Sequence, residues 1–362
     1  MTTDEHHENL AGDQGINGDE GEHCTDGGGL PSIPVHLLIP FFFAWRLQET
    51  NEMATDLRKH TLGWIGVGRM GYPMAERLAK AGAQVSVYNR TRAKAEPLTK
   101  SGIRLVERPT DLADRDIVFT MVSASDDLKE VTLGKNGVLA AAKTPKILID
   151  CSTVSEEASA EVREAATKRG TAMLASPVSG NGKVVKAGKL SVVVSGPKQA
   201  YDTALPYLEK LGQGVSYVGE GELARMVKIC HNVFLGITIQ ALIEVTVLAQ
   251  KGGVPRHAFL DFMNKSVLGS TFTRYKTPAL VNLDFAPTFT PVLLRKDLDL
   301  GLAAARKVGT PMSLAAMTRE ILQSLIGQGF VDQDFATLLI QQAKAAGMPL
   351  EAENVRISDG LS

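Results

Sequence analysis

The stretch 62–91, LGWIGVGRMGYPMAERLAKAGAQVSVYNRT, restricts this chain more than any other. It opens on an apolar run, residues 62–67, too short for a helix and rich enough in Ile and Val for a buried strand. Glycines follow at G-x-G-x-x-G spacing: Gly66, Gly68 and Gly71. Met74, Leu78 and Ala79 then recur at helical intervals, Gly82 ends the helix, and residues 84–88 read as a second strand. Strand, glycine turn, helix and strand in that order are the setting in which such a turn binds a dinucleotide. Gly66 permits the tight turn, Gly68 leaves room for a pyrophosphate beside the backbone, and Gly71 lets helix and strand approach closely. The helix N-terminus offers free N–H groups and the positive end of its dipole to the phosphates.

The second strand ends at Asn89-Arg90-Thr91. An Asp or Glu there would hold a ribose 2′-OH, whereas an Arg accommodates a 2′-phosphate. With no acid present and Arg90 able to pair with a dianion, NADP(H) is expected over NAD(H), the latter remaining possible. Residues 116–122 form another buried strand, so Val122 and Ser123 at its tip border the cofactor crevice. At the tip of the next strand, 146–150, stand Cys151, Ser152 and Thr153. One hydroxyl there can face the cofactor while the other caps the helix predicted over 156–168. A helix over 93–101, a short strand over 103–106 and a helical piece over 138–142 complete this part. Strands over 172–175, 191–195 and 215–218, with a helix over 198–211, extend the alternation. It predicts a mostly parallel, doubly wound Rossmann-type sheet, α/β in class, covered on both faces.

With 362 residues the chain is long enough for two or three domains, and 44% apolar content supplies a core. A formal net charge of −1 gives no electrostatic case for nucleic acid or an anionic membrane as partner. Three cysteines, Cys24, Cys151 and Cys230, form no C-x-x-C pair, which fits a reducing, cytoplasmic setting; Cys151 and Cys230 are expected to be inert core residues. Residues 1–60 read as a disordered extension: 1–29 are acidic and glycine-rich with no Lys or Arg, and the apolar piece 33–45 is too short to span a bilayer. A natural start at Met53 is an alternative. The dinucleotide-binding domain is expected over 61–221, a second domain over 222–350 and a tail over 351–362.

From Glu222 to Lys251 the chain is apolar nearly all round and contains no proline. As one helix it would be about 45 Å long, enough to bridge two domains, and must be enclosed by other elements. Prolines then punctuate helical stretches over 256–265, 294–307, 312–328 and 334–345, so the second domain is read as all-α. Within the long helix Lys228 and Asn232 share a face. A Lys in an apolar helix either snorkels to water or is held with a depressed pKa, as a general acid/base requires; the pattern alone leaves both open. No His cluster has metal-ligand spacing, so no metal is expected.

Taken together these motifs resemble the β-hydroxyacid dehydrogenase family, which includes 3-hydroxyisobutyrate dehydrogenases and glyoxylate/succinic semialdehyde reductases, over about residues 61–350. The family's G-x-G-x-M-G opening is similar to Gly66-Val67-Gly68-Arg69-Met70-Gly71, its N-R-T to Asn89-Arg90-Thr91, and its D-x-S-T to Asp150–Thr153. The resemblance implies that Thr153 and Lys296 contact the cofactor. It also implies that the loop at Ser179, Gly180 and Asn181 holds a substrate carboxylate. Lys228 is then the general acid/base, with Asn232 beside it on the substrate. The implied activity is hydride transfer between a small 3-hydroxy acid and its aldehyde or keto acid, in a homodimer or homotetramer associated through the helical domain. An imine reductase-like enzyme and a non-catalytic NADP-binding scaffold are the alternatives, and Lys228 counts against both.

Three departures stand out. Asn181 replaces the second glycine of the family's S-G-G, Val184-Val185 replaces a downstream G-A, and His231 precedes Asn232. The last resembles the lysine–histidine–asparagine run of 6-phosphogluconate dehydrogenases, except that Leu235 stands where those carry a catalytic Glu.

Overall fold

In the computed structural model residues 56–361 are described, so the expectations for residues 1–55, including the start at Met53 and the apolar piece 33–45, lie outside the described residues. Strand β1 (Thr61–Ile65) leads through the glycine turn into α1 (Gly71–Lys80) and back to β2 (Gln84–Tyr88). Then come β3 (Arg104–Leu105), β4 (Ile117–Thr120), α2 (Ser125–Leu133), β5 (Ile147–Asp150), α3 (Glu156–Lys168) and β6 (Ala172–Ala175). All six strands are parallel in the order β3-β2-β1-β4-β5-β6, the doubly wound arrangement, with its crevice beyond the carboxyl ends of β1 and β4. Alternate side chains divide the core. Leu62, Trp64, Val87 and Phe119 fill one face, and Ile65, Val118, Leu148 and Met173 the other.

The glycine turn is braced from below. The indole of Trp64, fully buried and stacked on Phe119 at 5.2 Å, donates from Nε1 to the Gly66 carbonyl at 2.9 Å. Gly66 takes φ +94°, and a Cβ on Gly71 would lie 2.0 Å from the Gly66 oxygen. That is backbone against backbone, with nothing flexible to yield. Gly71→Ala is therefore expected to abolish nucleotide retention and lower the melting temperature by several degrees, about 4 °C per kcal/mol or less in a domain this size; dye-monitored melting with and without NADPH checks both.

The sheet does not absorb every predicted strand. After β6 the chain forms a separate three-stranded sheet, β7 (Val178–Ser179), β8 (Leu190–Val194) and β9 (Gly212–Tyr217), with β7 antiparallel to β8 and β9 parallel to it. A single antiparallel bridge, Ala175 to Ser195, ties it to the main sheet. Between these strands lie α4 (Gly182–Lys186) and α5 (Lys198–Glu209). The helix expected over 93–101 is two 3₁₀ pieces, 92–94 and 96–101, with Pro97 in the second, and 138–142 is turn rather than helix. Neither Ser152 nor Thr153 caps α3; Ser155 does, accepting from the Ala158 N–H at 3.2 Å.

Helix α6 (Leu223–Lys251) opens the helical domain and is followed by α7 (Arg256–Lys265), α8 (Thr271–Asn282), α9 (Pro291–Lys307), α10 (Ser313–Gly327) and α11 (Leu338–Ala345). Helix α8 escaped the sequence reading because Pro278 sits inside it. By length and composition α6 could cross a membrane, yet half of its most apolar window is buried inside the protein. Its enclosure is incomplete: Val227, Cys230, Phe234, Val245 and Leu248 form an exposed stripe, Phe234 and Leu248 being 70% and 72% exposed. Cys230 is thus not a core residue, whereas Cys151 is buried and its thiol pKa pushed up by that burial. The last residues form an irregular strap. Glu353 accepts from the Arg256 and His257 N–H groups, and the Gly360 carbonyl accepts from Lys189 Nζ at 2.9 Å.

Candidate active site

A cleft of about 610 Å³ opens where the carboxyl ends of the parallel strands face α6, α8 and α9. Its floor is the glycine turn, with Gly68, Arg69, Met70 and Gly71 all in the lining. A Cβ placed on Gly68 would meet nothing within 4 Å, so the space beside that backbone is open on the cleft side, as a pyrophosphate requires. Val122, Ser123 and Thr153 line the same end.

Gly66, Asn89, Arg90 and Thr91 stand outside the lining. Asn89 braces the turn: its Oδ1 accepts from the Val67 N–H at 2.9 Å and its Nδ2 donates to the Thr91 carbonyl at 2.7 Å. Arg90, its side chain 86% exposed, pairs with Asp127 at 3.1 Å. Lys94, which the sequence reading missed, lines the cleft at this end. Its signal was faint, since a Lys on a short polar helix is ordinarily a solvated residue.

Across the cleft Ser179, Gly180 and Asn181 form the opposing edge. Gly180 takes φ +138°, and a Cβ there would strike Val184 at 2.7 Å. Asn181 has a local reason to replace glycine: its Oδ1 caps α4, accepting from the Lys183 and Val184 N–H groups at 2.9 and 3.1 Å. Val184 and Val185 seat that short helix in the core, while Lys183 and Lys186 face out.

The third side is α6. Its first turn is latched to the tip of β5 by a fully buried ion pair, Arg225 to Asp150. Arg225 also donates to the Ser152 carbonyl and, at 3.2 Å, to Ser159 Oγ. Asp150 Oδ1 accepts from Thr120 Oγ1 and Ser152 Oγ, both at 2.6 Å, and Ser152 Oγ accepts from the Val122 N–H. The strand tips and the long helix are one hydrogen-bonded unit, and Lys228 stands one turn beyond the latch. A second tie crosses the cleft, Lys296 Nζ donating to the Thr153 carbonyl at 3.1 Å.

Lys228 does not snorkel. It is 8% exposed, lines the cleft, and its ammonium has no hydrogen-bond partner among the described residues. Burial lowers its pKa to about 8, Asp297 opposing and Lys296 assisting. Asn232 has one amide hydrogen on Asp297 Oδ2, and its Oδ1 meets His231 Nδ1 at 2.9 Å. The other edge of His231 meets Ser179 Oγ at 2.8 Å, joining α6 to the Ser179 loop. Burial and then the Lys228 charge hold His231 below its ordinary pKa.

The fourth side is aromatic and was invisible in the sequence. Phe272 and Tyr275 from α8, with Phe289 and Phe335, close the cleft. A buried pair supports them: Lys276 Nζ contacts Asp334 at 2.6 Å and lies 4.1 Å from the Phe335 ring centroid, and Asp334 accepts from the Thr288 and Phe289 N–H groups.

Comparison with known proteins bears on both halves of the cleft. A family profile described as the NAD binding domain of 6-phosphogluconate dehydrogenase matches residues 61–219. One described as NAD-binding of NADP-dependent 3-hydroxyisobutyrate dehydrogenase matches 222–341. The chain is 30% identical over 302 residues to glyoxylate/succinic semialdehyde reductase 2, chloroplastic, of Arabidopsis thaliana, covering 83% of this chain and 84% of that one. It is 32% identical over 275 residues to a 3-hydroxyisobutyrate dehydrogenase of Pseudomonas aeruginosa, covering 72% and 90%. Among solved structures, a Mycobacterium tuberculosis 3-hydroxyisobutyrate dehydrogenase with L-serine gives a TM-score of 0.69 at 27% identity, over 78% of this chain and 98% of that one.

Proposed function

This chain belongs to the β-hydroxyacid dehydrogenase family, and on that premise we propose that it interconverts a small 3-hydroxy acid and its aldehyde or keto acid, with NADP(H) preferred over NAD(H). The observation that carries the reading is Lys228, buried in the cleft, unpartnered among the described residues and titrating near 8. The nicotinamide cofactor, when bound, supplies or accepts the hydride. Gly68, Arg69, Met70 and Gly71 would hold its pyrophosphate, with Gly66 setting the turn that presents them, Val122, Ser123 and Thr153 along its length and Lys296 near its reactive end.

In the reducing direction the Lys228 ammonium donates its proton to the substrate oxygen as the carbonyl carbon is reduced; in oxidation the neutral amine removes the hydroxyl proton. A pKa near the working pH suits both roles. The second amide hydrogen of Asn232 holds the substrate oxygen, and Ser179 with the Gly180 and Asn181 backbone holds the carboxylate. The wall of Phe272, Tyr275, Phe289 and Phe335 keeps water away, which strengthens the electrostatic contacts inside. We also assign the exposed stripe on α6 to subunit association in a homodimer or homotetramer.

The direct test is NADPH oxidation with glyoxylate, succinic semialdehyde, methylmalonate semialdehyde and tartronate semialdehyde. Turnover of at least one is expected, and none of them reacting overturns the reading. Cofactor choice has its own test. Arg90→Ala and Lys94→Ala each remove a cation available to a 2′-phosphate and are expected to raise KM for NADPH about tenfold or more, leaving KM for NADH nearly unchanged. Equal effects on both cofactors would remove the preference.

A further inference from the structure

The hydrogen bonds linking α9 to the Ser179 loop have a direction, and their far end sets it. Asp297 is 2% exposed and its Oδ1 lies 3.3 Å from Lys296 Nζ, so as an ionised carboxylate it only accepts. Asn232 therefore turns Nδ2 to Asp297 and Oδ1 to His231. That oxygen can only accept, so His231 carries its proton on Nδ1. A neutral imidazole protonated there has a lone pair on Nε2. At 2.8 Å from Nε2, Ser179 Oγ must then donate to it. The one hydroxyl proton of Ser179 is committed to His231, and the oxygen shows the cleft lone pairs alone.

A carboxylate also brings only lone pairs. It can be accommodated in two ways. Ser179 can rotate, which leaves the Nε2 of a largely enclosed imidazole unpaired at a cost of about 1–3 kcal/mol. Or His231 can take a proton. Both ring nitrogens then donate, Nε2–H to Ser179 Oγ and Nδ1–H still to Asn232 Oδ1, and the hydroxyl proton is released to the carboxylate. The second route keeps every bond and adds a cation beside the anion.

We infer that binding of the substrate carboxylate at Ser179 takes up one proton from solvent at His231, and that release of the acid returns it. The inference rests on the reading of the Ser179 loop as the carboxylate site. The proton is separate from the one Lys228 delivers to the reacting oxygen, so the chemical step balances without it. Groups on every packed element act on the imidazole. Lys228 on α6 disfavours its charge, while the Asn232 hydrogen bond and Asp297 on α9 favour it; Lys296 on α9, Lys189 ahead of β8 and Tyr275 on α8 line the same cleft, and Ser179 on β7 is its neutral partner. In the free enzyme burial and Lys228 keep His231 below its ordinary 6.5, so the neutral ring is what a carboxylate meets near neutrality. The arriving anion reverses that balance. Affinity for the anion is then flat below the free-state pKa and weakens above it by at most about tenfold per pH unit.

The test is calorimetric titration of the full chain saturated with NADP+, using isobutyrate, which has a carboxylate and nothing to oxidise, at about pH 7 in buffers of different ionisation enthalpy. Uptake approaching one proton is expected, with no uptake for neutral isobutyramide. Lys228 titrates at about 8, above that pH, so it is mostly protonated already and contributes the smaller share. His231→Gln places an amide donor at about the Nε2 position, within reach of Ser179, but cannot titrate, so it should bind isobutyrate with a nearly flat profile around pH 7 and only the uptake that Lys228 supplies. Equal uptake by the wild type and His231→Gln overturns the inference, as does Ser179-dependent binding with no uptake. No binding, or binding undiminished by Ser179→Ala, overturns the carboxylate site itself and the inference with it.

Discussion

Replacing Lys228 by methionine is expected to lower kcat by about 10²–10⁴-fold, the usual contribution of a positioned acid/base group, while NADPH still binds. The pH dependence distinguishes this from a general disturbance. In the proposed mechanism reduction needs the ammonium, so in the parent enzyme its rate is expected to fall as pH rises through about 8; oxidation needs the amine and is expected to rise through the same point. The methionine variant should show neither inflection. Its stability should move the other way. The folded-state pKa of Lys228 lies below its unfolded value, so between about 8 and 10.5 the unfolded chain binds more protons and the parent's stability increases with pH. Below about 8 the penalty for burying the ammonium is present in full. Methionine has similar reach and no charge, so the variant should melt higher at neutral pH. Lost turnover with raised stability is the pattern of a group kept for chemistry; unchanged turnover would remove Lys228 from the mechanism.

The largest loss of stability is expected at Arg225. Its guanidinium is 1% exposed and holds Asp150, 0% exposed, together with the Ser152 carbonyl and Ser159. Arg225→Met leaves a carboxylate uncompensated in the interior, and breaking such a pair from one side costs about 3–5 kcal/mol. The double replacement Arg225→Met with Asp150→Asn should recover much of that, because no lone charge remains; urea unfolding of the two variants reads the difference. The single variant also unlatches the first turn of α6 from the strand tips. Lys228, three residues on, loses its fixed place relative to Val122 and Thr153, so kcat should fall along with stability. Coupling of that size would make the ion pair part of the alignment between the two halves of the cleft.

What could be read in advance depended on how local the physical cause was. The glycine turn was legible because strand, turn and helix requirements coincide within thirty residues. Helix α3 had the residues assigned to it, and the Lys228–Asn232 face followed from helical spacing. The aromatic wall was illegible for the opposite reason. Phe272, Tyr275, Phe289 and Phe335 reach the cleft from separate segments through tertiary packing, and the Lys276–Asp334 pair that supports them joins residues 58 apart. Asn181 was counted as a departure because its capping role exists only once α4 forms. The separate sheet of β7, β8 and β9 was missed because strand periodicity carries no information about which sheet a strand joins. The fully enclosed α6 was an expectation from composition that the fold meets on one side only.

The clamp beneath the glycine turn gives this molecule a built-in optical reporter. The sequence contains two tryptophans, and Trp64 lies under the turn with its ring against Phe119 and its Nε1 on the Gly66 carbonyl. With Trp45 replaced by phenylalanine, Trp64 is the sole indole emitter, placed one hydrogen bond from the glycine turn proposed to hold the phosphates. Filling, emptying or loosening of that turn is then expected to register as a change in ultraviolet emission, with no label added.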